Sequence, residues 1–247
     1  MPFVHNQILP TMKRSLGIVY VISFAIACFS ATEGCKKKNE QEPLVIIPTV
    51  NPIPYSVIAY LITPTDKTFN PDYYRGARAA LTDLQGWYKS QMGNNKTFML
   101  NPVILDTITG LHNSSWFNAN NGDSLYNGTV AYGFYNTKYE LKQLLGSKYD
   151  TAHYDYIAFV QADFPDETVP RGVAAEGLQN LEGLASSSPN PWRGGAGHAL
   201  GHSFGLPEVA VQNKDGIMSA GFPNYPGCVL QSWEKDSLNA SPFFKVQ

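Results

Sequence analysis

Apolar residues recur along this chain with two periods, and each change of period marks an element. Residues 56–62 form an apolar run rich in β-branched and aromatic side chains, which predicts a buried strand closed by Thr63-Pro64-Thr65-Asp66. From Asp72 to Gln91 the period becomes helical. Tyr73, Ala77, Ala80, Leu81, Leu84, Trp87 and Tyr88 return every three or four positions, with Asn70 as cap, Pro71 in the first turn and Gly93 as terminator. Residues 97–108 predict a second strand, kinked at Pro102. Residues 137–145 predict a short helix with Leu141, Leu144 and Leu145 on one side. Residues 154–161 predict a central strand, and residues 231–239 a last short helix carrying Trp233 and Leu238. The closing Ser241-Pro242-Phe243-Phe244 is expected to pack onto the core.

The ends of the chain follow different rules. Met12-Lys13-Arg14 precedes an apolar run over residues 16–29, the form of a secretory leader with a basic start. Cys28 follows Ala25-Ile26-Ala27, and Cys35 precedes Lys36-Lys37-Lys38; small residues before a cysteine resemble a bacterial lipoprotein cleavage box. Either cysteine would be lipidated, giving an exported protein held to a membrane without a spanning helix. The expected domains are a leader over 1–35, a charged and Pro-rich tether over 36–54, and one globular domain over 55–247. The fold then keeps a single cysteine, Cys228, and no internal disulfide.

Composition adds mainly exclusions. The 247 residues are 43% hydrophobic with a formal net charge of −2, so the chain can bury a full core and has no attraction for nucleic acid. There is no internal repeat and no phosphate-cradling glycine loop. Asn118–Ser124 offers oxygen atoms without the spacing of a calcium loop, and reads as plain surface. His112 and His153 read as surface or hydrogen-bonded residues, and Asp163, Asp166 and Glu167 as a solvated acidic turn.

The candidate chemistry lies in Gly194–Glu208. His198 and His202 stand four apart, so a helix over 197–204 projects both imidazoles from one face. Gly205 ends that helix where a left-handed residue is wanted, and the reversal brings Glu208 round as a third ligand. Two imidazoles and a carboxylate with one position open form the ligand set of a catalytic zinc site.

This stretch resembles the signature of the metzincin metallopeptidases, H-E-x-x-H-x-x-G-x-x-H followed by a Met-turn. His198, His202 and Gly205 fall on the motif, and Gly216-Ile217-Met218-Ser219 resembles the Met-turn. The resemblance implies an α+β, metzincin-like domain: a mixed twisted sheet, a long N-terminal helix, a zinc-binding helix, and Met218 beneath the metal. It also implies an edge strand that pairs with extended peptide, for which Gly172–Ala175 is the candidate. Two positions depart from the family. Glu208 replaces a third histidine, a mild change, since a carboxylate is a legitimate ligand. Ala199 stands where the family has its catalytic Glu, and a methyl group moves no proton. Glu176 and Glu182 lie between that strand and the helix; either could stand in for the missing base, but nothing in their spacing aims them at the metal, so both read as surface carboxylates, and Tyr225 reads as a packing residue. Three functions remain open: a metallopeptidase of low or no activity, an active zinc endopeptidase with another proton-transfer group, or a non-catalytic peptide-binding relative.

Overall fold

The structure, a computed structural model, describes residues 52–121, 131–164, 172–209 and 213–246. The leader with Cys28 and Cys35, most of the tether, and Asp166 and Glu167 lie outside these residues. Every described residue belongs to one compact unit, Pro43–Gln247.

Strand β1 (Ser56–Thr63) is the axis of a six-stranded mixed sheet, and all eight of its residues are buried. It pairs in parallel with β2 (Lys96–Leu100), with β3 (Asp106–Thr109) and along its length with β4 (Tyr154–Val160). Beyond β4 lies β5 (Val173–Glu176), also parallel, at the edge of the sheet. At the other end β6 (Phe244–Val246) runs antiparallel to β2. Alternation along β1 splits the core in two. Val57, Ala59 and Leu61 face one cluster, and Ile58, Tyr60 and Ile62 face the other. A parallel strand covered on both sides reads as a continuous apolar run, which explains its sequence.

Helix α1 (Pro71–Gln91) starts where the Asn70 side chain accepts from the Asp72 amide at 2.9 Å. Its apolar stripe packs on the first cluster, beside α3 (Leu178–Leu184), α4 (Asn190–Ser203) and α5 (Ser232–Ala240). Helix α2 (Tyr132–Leu145) covers the second cluster.

Four expectations change. The strand expected over 97–108 is two strands, because residues 101–105 leave the ladder around Pro102, which has no amide to donate. Helix α2 begins five residues before the expected 137, since Phe134 adds a buried turn. Helix α4 begins at Asn190 rather than 197. Helix α3 has no clear periodic signal in the sequence and follows β5 through Gly177.

A buried carboxyl joins the sheet to α4. Asp155 on β4 is buried, and its Oδ2 accepts from the Ser203 hydroxyl at 3.1 Å. Burial outweighs that hydrogen bond and lifts the carboxyl from 3.8 to about 8. The folded protein therefore holds a proton that the unfolded chain has released, and stability falls as pH rises from 3.8 through about 8. Asp155→Asn keeps the shape and removes the charge. It should raise the melting temperature, relative to the unmodified protein, more at pH 8 than at pH 5. Equal differences at the two pH values would contradict this assignment.

Candidate metal centre

Helix α4 is built from a sequence that disfavours helix, with glycines at 194, 195, 197 and 201. Close packing makes up the deficit. A Cβ on Gly201 would lie 2.2 Å from the Met218 sulfur, and one on Gly194 would lie 1.8 Å from the Phe222 carbonyl oxygen. Met218 is fully buried against the turn of α4 that separates His198 from His202. The segment carrying Met218 is held by Ile217 N to Val229 O at 3.0 Å and Gly221 N to Gly216 O at 3.0 Å.

The helix ends on Gly205, at φ +96°. Gly205 N donates to His202 O at 2.8 Å and Leu206 N to Gly201 O at 3.0 Å, the paired bonds of a Schellman cap. That cap aims two groups at once. The Leu206 carbonyl meets His202 Nδ1 at 2.8 Å, and Glu208 comes back over the helix. His198 Nδ1 meets the Ile217 carbonyl at 2.8 Å.

A carbonyl oxygen only accepts, so each Nδ1 must carry the proton and each Nε2 a lone pair. The two Nε2 atoms stand 3.1 Å apart, and Glu208 Oε2 lies 3.0 Å from His202 Nε2 and 3.5 Å from His198 Nε2. Tetrahedral zinc, with bonds of about 2.0–2.1 Å, requires ligand atoms roughly 3.3 Å apart. The three atoms fit that triangle, and together they form the one group of three metal-competent side chains among the described residues. Three converging lone pairs repel one another, an arrangement that a cation between them satisfies. Burial holds His198 below the usual imidazole range, with the neighbouring His202 adding to that and the Ile217 carbonyl and Glu208 opposing it. A neutral imidazole is the ligating form. The His202 side chain is 7% exposed and Glu208 60%, so the site is closed beneath and open on the carboxylate side. The Phe222 ring, 5.1 Å from that of His198, forms one wall.

The remaining candidates divide. Ala199 is buried in the core cluster that also holds Ala174 and Leu200, and its methyl carries no proton-transfer group. Tyr225 is a packing residue whose hydroxyl donates to Asp83 at 2.7 Å. His112 pairs with the buried Glu140 at 2.6 Å and stacks on Trp116, while His153 binds Asp150 near the surface at 2.7 Å. Glu182 is exposed, as expected. Glu176 is not: it is fully buried at the end of β5, where the Asn180 amide donates to it. Four residues of mixed character gave no alternation from which to infer its depth.

By sequence the chain matches no family model and no curated protein. By fold it is similar to OgpA from Akkermansia muciniphila. Wild type OgpA superposes with a TM-score of 0.57 at 18% identity, over 78% of this chain and 62% of that one. Catalytic inactive OgpA in complex with an O-glycopeptide (glycodrosocin) substrate gives 0.57 at 19%, over 77% and 61%. A second crystal form of the wild type gives 0.57 at 18%, over 81% and 64%. The chain thus spans less than two thirds of the length of OgpA, and at this identity the likeness establishes fold alone.

Gly205→Ala tests the cap. A left-handed conformation costs a residue with a Cβ about 1–2 kcal/mol, and each kcal/mol is worth about 2–4 °C in a domain of this size. The melting temperature should fall by that amount. Zinc affinity, measured by competition with a chelator, should fall with it, because the Leu206 carbonyl and Glu208 move together. A lower melting temperature with unchanged affinity would separate the cap from the site.

Proposed function

We propose that this chain is a zinc-binding, metzincin-like protein that takes peptide in the cleft above α4 and hydrolyses it slowly at most. The observation that carries this is the convergence of His198 Nε2, His202 Nε2 and Glu208 Oε2, with both imidazole tautomers set by backbone carbonyls. Zinc held by these three residues would polarise a peptide carbonyl and make water more acidic. On this reading the segment with Met218 is the Met-turn, supporting the two histidines from below, and β5 is the edge against which extended peptide lies. Ala199 leaves the position of the usual proton carrier empty of function. The O-glycopeptide bound by OgpA suggests the substrate class to try first: peptides carrying O-glycans, beside their unglycosylated counterparts.

The decisive experiment compares the unmodified chain with Ala199→Glu. One zinc per chain should co-purify, and its removal should lower the melting temperature. Cleavage by Ala199→Glu should exceed that by the unmodified chain by about 10²–10⁴-fold, the ordinary contribution of a general base. Absence of bound zinc would end the proposal. Unmodified protein that cleaves as fast as Ala199→Glu would end its pseudoenzyme element. A second reading, a peptide-binding protein with no turnover, rests on Ala199, and predicts retained peptide affinity with no product from either form.

We also infer export and membrane attachment through Cys28 or Cys35, from the apolar leader and the residues before each cysteine. In a bacterial host, incorporation of labelled palmitate should be lost on substituting one of these cysteines by Ala and kept on substituting the other. Labelling that survives the double substitution would refute the anchor.

A further inference from the structure

Two imidazoles on one helix stay aimed at one metal only if that helix keeps its height and rotation against its neighbours. On α4 the restraint comes from the side of the helix that carries no side chains.

Gly197 and Gly201 lie one turn apart, and each is followed at once by a histidine, about 100° further round the helix. A Cβ on Gly197 would lie 2.7 Å from Leu84 Cδ2 and 3.0 Å from Ile217 Cδ1. One on Gly201 would run into the Met218 sulfur and lie 3.3 Å from the Tyr88 hydroxyl oxygen. Leu84 and Tyr88 are themselves one turn apart on α1. Two successive side chains of one helix therefore enter two successive gaps of the other. Leu84 fits by shape, and Tyr88 adds direction. Its hydroxyl donates to the Gly197 carbonyl oxygen at 2.8 Å, on the lone pair that the helix ladder leaves free. Burial holds the phenol well above the ordinary tyrosine range, so it keeps the proton it donates. The rings of Trp87, Phe98, Phe204 and Phe244 surround it at centroid distances of 5.1 to 6.1 Å, which fixes where the hydroxyl stands.

The same turn of α4 sets one of the imidazoles. Ile217, whose side chain fills the gap at Gly197, presents its carbonyl to His198 Nδ1 at 2.8 Å. A slip of α4 against α1 would carry His198 away from that carbonyl. His202 would be spared, because the Leu206 carbonyl that orients it belongs to the cap and moves with the helix.

We propose that Tyr88, through its hydroxyl on the Gly197 carbonyl, is a positioning residue that sets His198 for metal binding. The inference rests on the metal-binding reading of His198, His202 and Glu208, and says what holds that site in shape before an ion arrives.

The test uses the full chain with Tyr88→Phe, which removes one oxygen and keeps the ring contacts, beside Thr97→Val. The Thr97 hydroxyl donates to the Gln85 carbonyl of α1 at 2.8 Å, an equal bond that leaves α4 untouched. Melting temperature, zinc affinity by competition with a chelator, and the visible spectrum of the cobalt-loaded protein are measured for each. In metal-free protein at pH 8, the ring-nitrogen chemical shifts of His198 and His202 report their tautomers. Both variants should lower the melting temperature to a similar extent. Tyr88→Phe alone should weaken zinc binding by about tenfold, the lower end of what a change behind the ligands costs, and shift the cobalt spectrum. In the metal-free form it should let His198 take up the Nε2-protonated tautomer while His202 keeps the proton on Nδ1. Zinc affinity, cobalt spectrum and His198 tautomer unaltered by Tyr88→Phe would overturn the proposal. So would equal losses of zinc affinity in the two variants, which would trace the effect to stability in general. Zinc bound by no form would instead remove the metal-binding reading, and this inference with it.

Discussion

A single left-handed residue governs the geometry of the candidate metal centre. Gly205 turns the chain back at the end of α4, and that reversal does three things with one conformational choice. It satisfies the last carbonyls of the helix. It sets the Leu206 carbonyl against His202 Nδ1, which leaves a lone pair on Nε2. It returns Glu208 over the helix to stand within 3.5 Å of both imidazoles. A helix that frayed or ran on at this point would have two histidines and no site. The other imidazole is set by the Ile217 carbonyl, so the two tautomers depend on two different segments of the chain. Orientation of imidazoles by backbone acceptors is the usual companion of ligation and suits these three residues to hold a metal.

The glycines of α4 follow from the same demand. Each removes a side chain where something else must come close: Phe222 at Gly194, Met218 at Gly201. The helix gives up intrinsic propensity and recovers it in packing, since Met218 is fully buried and ties the following segment to the floor of the site. Tyr225 extends the same clamp outward. Its hydroxyl donates to Asp83 on α1, and Arg193 on α4 reaches that carboxylate at 3.3 Å. Helix α1, helix α4 and the segment carrying Met218 are thereby fastened to one another.

How much of this could be read in the sequence depends on whether the cause was local. His198, His202, Gly205 and Glu208 were legible because helix geometry and a left-handed cap act over a few residues. Strand β1 and helix α1 were legible because burial imprinted unbroken periods on them. The first half of α4 was not, because Gly-Gly-Ala-Gly reads as loop, and its helix packs closely on residues distant in sequence, Phe222 at Gly194 and Leu84 and Ile217 at Gly197. The interruption between β2 and β3 was legible as a kink but not as a break, since only the pairing with β1 decides it. Glu176 was misjudged for a similar reason. A carboxylate after Val-Ala-Ala has no local mark of depth, and its burial comes from α3 and α4 closing over β5.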